Sequence, residues 1–338
     1  MATPVGIQRK AAPDAPKRKR KSVIIGYKTS RGTSFRATIE AFIQSPRAAD
    51  YLGKVQLIFT SPPFPLNRKK AYGNKLGEEF VSWLADLAPD FKKLLTPTGS
   101  IVMEMGNAWE PGRPVMSVLA LESLLQFLRK GELRLAQQFI CYNPARLPSP
   151  AQWVNVDRIR LKDAYTHVWW MAATDRPYAD NRQVLTPYSK SMLHLLETGK
   201  YNSGKRPSEH HIGKTSFLKK NAGAIPANVL TIPNTGAGDV YQIYCRKHGI
   251  KPHPARMPLA LPEFFIKLLT KEGDLVMDPF AGSNTTGAVA QKLKRQWLAV
   301  EAEQEYVDSS RARFLRRKGS TGDAKRAASS PPDGRRGR

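Results

Sequence analysis

The sequence predicts an α/β protein built on a mostly parallel sheet with helices on both faces. Two observations carry this. Between residues 275 and 301 a strand, a glycine-containing loop, a helix and a second strand follow one another, the unit from which parallel sheets are built. Upstream, from residue 55 to 172, short apolar runs alternate with longer stretches of helical period. The 338 residues give room for one large α/β domain or two ordinary ones, and the 41% apolar share is ample for a core.

In chain order, 55–59 (VQLIF) is a short buried strand running into Thr60, Ser61, Pro62, Pro63 and Phe64, where two prolines without N–H groups end the ladder. Residues 78–95 are helical, with Phe80, Val81, Leu84, Leu87, Phe91, Leu94 and Leu95 on one face, and Pro89 is expected to kink or split the helix. A turn at 96–99 leads to a strand at 100–105 and a helix at 115–128. Strands are expected at 139–142 and 166–172. A helix at 262–270 opens with Pro262, the favoured first-turn residue. The strand 275–277, the loop 278–287, the helix 288–293 and the strand 297–300 complete the pattern. Residues 174–255 differ: they are rich in Pro, Gly, Asn, Lys and His and have little regular period.

Charge is the outlier in composition. Lys and Arg number 54 against 28 Asp and Glu, a net of +26 that points to a polyanion partner. Residues 1–22 hold seven basic and one acidic residue, and 311–338 hold ten and two. The central residues 23–310 are therefore basic in their own right. Both tails, 1–22 and 315–338, lack apolar period and are expected to be disordered. The run Lys17, Arg18, Lys19, Arg20, Lys21 reads as a solvated tail, a nucleic-acid arm or a nuclear address. No apolar run is long enough to span a bilayer, and no apolar segment follows the basic N-terminus as in a secretory signal. Two cysteines, Cys141 and Cys245, suit a reducing compartment and form neither a disulfide framework nor a zinc site.

Two segments carry chemistry. In the first, Asp278-Pro279-Phe280-Ala281-Gly282-Ser283-Asn284-Thr285-Thr286-Gly287 joins a strand to a helix N-terminus, where backbone N–H groups approach a ligand closely. Glu301, ending the next strand, can accept hydrogen bonds from ribose hydroxyls. The loop lacks both the three-glycine dinucleotide fingerprint and a Gly-Lys-Ser/Thr triphosphate loop, so a nucleoside cofactor without a pyrophosphate fits better. A plain structural turn with Asp278 as helix cap is the bland alternative. In the second, Ser61 to Phe64 follow a strand's carboxyl end, where open α/β sheets place ligands. The prolines fix an extended turn with free carbonyl acceptors, Ser61 adds a hydroxyl, and Phe64 a flat apolar face. That set suits a planar ring bearing an exocyclic amino group; taken alone, it also reads as a proline-rich turn.

Together, Thr60-Ser61-Pro62-Pro63-Phe64 followed much later by Asp278-Pro279-Phe280-Ala281-Gly282-Ser283-Asn284-Thr285-Thr286 resembles the amino-group DNA methyltransferases, in the motif order of their β group. The match looks closer still to the PvuII-type cytosine-N4 methyltransferases. It spans residues 27–314, with further matching stretches at 64–74, 143–155, 206–217 and 253–265. The resemblance implies a Rossmann-like S-adenosylmethionine-dependent methyltransferase fold and S-adenosylmethionine as methyl donor. It places Asp278, Phe280, Gly282, Asn284, Thr285 and Thr286 in the cofactor loop and Glu301 on the ribose. Residues 253–265 match the part that packs on the methionine end. Ser61, Pro62 and Pro63 match the catalytic segment, Phe64 the ring that stacks on the base, and Glu104 the acid after the next strand. Asn284 departs from the common Gly-Ser-Gly-Thr-Thr loop; of the non-glycine residues, Asn best tolerates a positive φ.

This resemblance implies methylation of cytosine N4 in double-stranded DNA, by a monomer in the bacterial cytoplasm acting at the nucleoid. A restriction endonuclease sharing the target site is the expected counterpart, without being a stable subunit. The expected domains are a catalytic half at 23–173, a target-recognition region at 174–255 and a cofactor-binding half at 256–314. Arg206, His210, His211, Lys214, Lys219 and Lys220 are the expected DNA contacts, since 200–221 hold six basic residues and one acid. Adenine-N6 methylation and a non-catalytic DNA-binding protein retaining the fold are the alternatives. Carbon-5 methylation is disfavoured because neither cysteine follows a proline.

Overall fold

The computed structural model describes residues 23–64, 75–235 and 239–315. The basic run at 17–21, both tails except residue 315, and residues 65–74 of the stretch beginning at Phe64 lie outside the described residues.

The chain opens with the hairpin β1 (Ile24–Lys28) and β2 (Gly32–Arg36), followed by short helices α1 (Ile39–Ile43) and α2 (Pro46–Ala49). Then come β3 (Val55–Thr60), α3 (Gly77–Leu94), β4 (Leu95–Gly106), α4 (Leu119–Gly131), β5 (Arg134–Tyr142) and β6 (Tyr165–Ala172). α5 (Lys190–Thr198), the two-residue strands β7 (Gly204–Lys205) and β8 (His211–Ile212), β9 (Val229–Thr231) and α6 (Val240–Lys247) follow. α7 (Ala260–Leu269), β10 (Leu275–Asp278), α8 (Thr285–Lys292), β11 (Gln296–Glu301) and α9 (Gln304–Ser310) end the described fold.

Among the described residues, nine strands form one sheet in the order β1-β2-β11-β10-β3-β4-β6-β5-β9. β2, β11, β10, β3 and β4 are parallel neighbour to neighbour. β6 runs antiparallel between β4 and β5, and β9 is parallel to β5. Only β1 and β6 therefore oppose the common direction. The period-2 alternation of β3 feeds two cores: Ile58 faces one with Phe80, Leu84, Phe91 and Phe127, while Leu57 and Phe59 face another with Leu261, Phe265 and Val289. Helices thus cover both faces, as expected of this class. The carboxyl ends of β3, β4, β10 and β11 share one edge, and this brings Thr60, Gly106, Asp278 and Glu301 together.

The structure corrects several local expectations. α3 is one helix across Pro89; Phe91 and Leu94 beyond the proline are buried in the core and hold the last turn in line. The expected turn at 96–99 belongs to β4, entered through an irregularity in its pairing with β3. Gln56 holds that bulge, with its amide nitrogen donating to the Thr98 carbonyl at 3.2 Å and its oxygen accepting from Thr96 Oγ1 at 2.7 Å. α4 starts four residues late because Glu110 N–H bonds the Val115 carbonyl and Trp109 pairs with Met116. α8 starts at Thr285 instead of 288, because Asn284 caps it. β5 begins at Arg134, five residues before the predicted strand, through a stretch whose side chains are all exposed.

Within 174–255, β9 joins the main sheet and α6 packs on the C-terminal segment through Tyr241, whose hydroxyl lies 3.3 Å from Ser309 Oγ. Thr186 and Ala224 exchange backbone hydrogen bonds of 2.9 and 2.8 Å, which close off an excursion that carries α5, β7 and β8.

Candidate active site

The loop after β10 is built around one buried carboxylate. Asp278 accepts from Thr60 Oγ1 at 2.8 Å, Thr286 Oγ1 at 2.7 Å and the Phe280 N–H at 3.1 Å. Even with three donors, burial pushes its carboxyl up to about 6. Asp278 thus fixes both ends of its own loop and the strand end that carries Ser61. Gly282 bends the loop at φ +49°, and a Cβ there would press on the His253 ring at 3.1 Å. Its N–H donates to Glu301 Oε2 at 2.7 Å, while Glu301 Oε1 accepts from the Glu303 N–H at 2.9 Å. Glu301 is half-buried, and burial holds its carboxyl above the ordinary range.

The Asn284 side chain is turned into the fold. It sits at φ 53°, ψ 45°, is buried, and both ends of its amide are occupied. Oδ1 accepts the Gly287 N–H at 3.0 Å and Nδ2 donates to the Tyr27 hydroxyl at 2.9 Å. Thr285 and Thr286 are buried too, and Thr286 is committed to Asp278. Of the expected cofactor loop, Phe280 is half-exposed beside the half-exposed Glu301, its ring 5.6 Å from that of Trp83. The loop 278–287 contains no basic side chain. An acidic acceptor at a strand end, a glycine bend at a helix N-terminus and no cation for a phosphate together fit a nucleoside sulfonium.

Ser61 stands one residue beyond β3, half-exposed, with its hydroxyl near enough to Glu104 of β4 to help lower that carboxyl's pKa. Glu104 is buried and also accepts from Thr166 Oγ1 of β6 at 3.0 Å. Burial pushes the Glu104 carboxyl above its usual value, against the bonds from Thr166 and Ser61 and the positive charge of Arg146. Cys141 lies on the other side of Thr166; burial and the nearby Glu104 push its thiol up to about 11. A thiol held neutral in this way is unfit as a nucleophile. Pro62 is buried and Pro63 half-buried. The Phe64 ring rests on Gly106 at the end of β4, where a Cβ would come within 2.3 Å of it.

The expected DNA contacts gather on the excursion away from the core. Arg206 and His210 flank the tip of the β7–β8 hairpin, where Arg206 N–H bonds the His210 carbonyl at 2.8 Å. His210, His211, Lys214, Lys219 and Lys220 are exposed and Arg206 is half-exposed. Tyr201 and Phe217 pack edge to face beneath them at 5.4 Å. Sequence reasoning missed Thr60, Thr166, Gly106 and Tyr27. Thr60 had a signal, since it abuts Ser61 at a strand's end; Thr166, Gly106 and Tyr27 gain meaning only through partners distant in sequence. Among the described residues, no group of three or more His, Cys, Asp or Glu can hold a metal ion, and no helix is long and apolar enough to cross a membrane.

Comparison with known proteins bears on the same residues. Residues 55–312 match the profile of the N6/N4 methyltransferases, described as DNA methylases. The chain is 46% identical over 263 residues to the type II methyltransferase M.PvuII of Proteus hauseri, covering 77% of this chain and 78% of the relative. It is 21% identical over 261 residues to the type II methyltransferase M.BglII of Bacillus subtilis, covering 75% of this chain and 62% of that one. Its fold superposes on the solved PvuII DNA methyltransferase (cytosine-N4-specific) with a TM-score of 0.70 at 36% identity, over 89% of this chain and 92% of that structure. Both chemical segments, the Ser61 turn and the Asp278 loop, fall within the matched residues, and the chain belongs to the N6/N4 DNA methylase family.

Proposed function

We propose that this chain transfers a methyl group from S-adenosylmethionine to the exocyclic N4 of a cytosine flipped out of double-stranded DNA. The observation that carries this reading is the Asp278 loop tied through Thr60 to the strand end that sets Ser61 beside the buried Glu104. Glu301, Phe280 and Gly282 would hold the cofactor's nucleoside. When bound, S-adenosylmethionine supplies an electrophilic methyl on a sulfonium.

Cytosine N4 is a poor nucleophile because its lone pair is delocalised into the ring. Ser61 Oγ and the carbonyls around Pro62 accept its two hydrogens, which draws the lone pair toward sp³ character. The N4–methyl bond then forms as the sulfonium–methyl bond breaks, and one N4 proton leaves through Ser61 to Glu104. Positioning and charge stabilisation carry most of the rate. Phe64, seated on Gly106, offers a face on which the extruded base can stack.

The excursion between Thr186 and Ala224 is the target-recognition region in this reading. Its exposed cations grip phosphates, and Arg206 and His210 at the hairpin tip reach base edges. The enzyme serves as the modification half of a restriction–modification pair at the bacterial nucleoid, with a nuclease that shares its site but is no stable subunit.

The test is nucleoside analysis by mass spectrometry of DNA from cells expressing the chain or Ser61→Ala. N4-methylcytosine from the parent and at most about a hundredth of it from the variant are expected. N6-methyladenine, or an equally active Ser61→Ala protein, would overturn the assignment.

A further inference from the structure

Between β5 and β6 the chain makes an excursion, residues 143–164, that leaves and re-enters the sheet at the edge holding the active site. Its root is fixed: Asn143 N–H bonds the Ala164 carbonyl at 2.8 Å, and Thr166 immediately beyond bonds Glu104. Close to that root it carries two apolar side chains in water. Leu147 is 80% exposed and Leu161 is 90% exposed, the two most exposed large hydrophobic residues among those described.

These leucines do not sit on a loose loop. Asn143 Oδ1 accepts the Ala145 N–H at 3.1 Å, and Arg146 N–H bonds the Asn143 carbonyl at 3.2 Å. Lys162 Nζ reaches across to the carbonyls of Pro144 and Arg146, both at 3.3 Å, and so ties the Leu161 limb of the excursion to the Leu147 limb. Asp163 N–H bonds the Ser149 carbonyl at 2.9 Å. The Arg160 guanidinium is spent on the carbonyls of Pro114 and Ile159. A turn braced by this many bonds holds its leucines out in place, although collapse onto the core would remove their apolar surface from water.

Charge says what meets them. The root of the excursion at Ala164 lies two residues from Thr166, which bonds Glu104, and the positive charge of Arg146, adjacent to Leu147, acts on the same carboxyl, so this segment borders the Glu104 side of the site. Arg146 and Arg158 leave this segment fit for a polyanion rather than for a lipid tail or a basic protein face. A base drawn out of a duplex leaves an unstacked gap flanked by phosphates. Apolar side chains fill such gaps, and neighbouring cations hold the backbone on either side.

We propose that Leu147 and Leu161 form a wedge that enters the DNA duplex where the target base has left it, with Arg146 on the adjoining phosphate. This rests on the base-flipping reading above and adds to it the element that stabilises the emptied duplex.

The experiment compares methylation by the wild type, Leu147→Ala, Leu161→Ala and the double variant on two duplexes containing the mapped site. In one the target cytosine is paired; in the other an abasic site stands opposite it, so no pairing opposes extrusion. On the paired duplex the double variant is expected to lose about tenfold or more in kcat/KM, and on the abasic duplex to come within about threefold of the wild type. Equal losses on both duplexes, or none on either, would overturn the wedge. Dissociation of a dimer in the double variant with unchanged methylation would assign the leucines to contact between copies instead. If the wild type methylates neither duplex, the base-flipping reading itself fails, a result distinct from any of these.

Discussion

Thr60 Oγ1 donates a 2.8 Å hydrogen bond to Asp278 Oδ1 across 218 residues of sequence. The bond joins the ends of two adjacent parallel strands, one leading into the Ser61 turn and the other into the cofactor loop. One carboxylate therefore sets the separation between the segment proposed to hold the base and the segment proposed to hold the methyl donor.

That carboxylate makes stability depend on pH in a predictable direction. Its value of about 6 in the folded chain lies above its ordinary 3.8. Between these values the folded chain keeps a proton that the unfolded chain has released, so stability falls as pH rises from about 4 to about 6 and levels off above. Asp278→Asn keeps the shape and removes the titration. Its stability relative to the parent should rise across that window by on the order of 2–3 kcal/mol. Urea unfolding midpoints of both proteins at pH 4 and pH 7 check this; parallel pH profiles would contradict it.

Glu104 makes a second pH prediction, this time for rate. In the proposed reaction it must be ionised to accept a proton through Ser61, and burial holds its carboxyl above the usual value. The rate should therefore fall on the acid side at a pH above that of an ordinary glutamate. Glu104→Gln should lower kcat about 10²-fold with little change in KM for DNA. Thr166→Val removes a bond that favours the ionised form, so the acid limb should move to higher pH while the alkaline side stays in place. Single-turnover rates from pH 5 to 9 measure both effects.

The sheet and the two chemical segments were legible because their signals are local. The run VQLIF, the proline pair and the strand–loop–helix–strand unit each announce themselves within about thirty residues or fewer. What sequence left unread depends on distant partners. β1 and β2 complete the sheet through β11, and β9 is a three-residue strand that exists by pairing with β5. Pro89 looked like a break because the burial of Phe91 and Leu94 that holds the helix is tertiary. Asn284 lies in a loop whose family resemblance implied cofactor contact, yet Tyr27, from the other end of the chain, occupies its amide.

Asn284 therefore yields a prediction that separates structure from binding. Asn284→Ala loses the helix cap, the bond to Tyr27 and the tolerance for positive φ, and should cost about 2–3 kcal/mol. Asn284→Gly keeps the backbone freedom and should cost about 1 kcal/mol. Neither substitution removes a group that faces the ligand, so calorimetry on the folded glycine variant should give S-adenosylmethionine affinity within about threefold of the parent. A much larger loss would return Asn284 to the cofactor site.

Gly106 tests the seat of Phe64. A methyl group there would lie 2.3 Å from the ring's Cε2 and 2.5 Å from Cδ2, so ring and methyl cannot both keep their places. Phe64 is half-buried at the end of a turn, so the ring moves more readily than the central strand β4 does. Gly106→Ala should therefore cost little in global stability, within about 1 kcal/mol, and leave cofactor binding intact. Its damage should fall on the base: kcat/KM for duplex DNA should drop about tenfold or more, as a displaced ring no longer meets the flipped cytosine. Phe64→Ala should lose at least as much, and the double variant no more than Phe64→Ala alone, because once the ring is gone the methyl has nothing to displace. Additive losses would mean that Gly106 serves the strand rather than the ring.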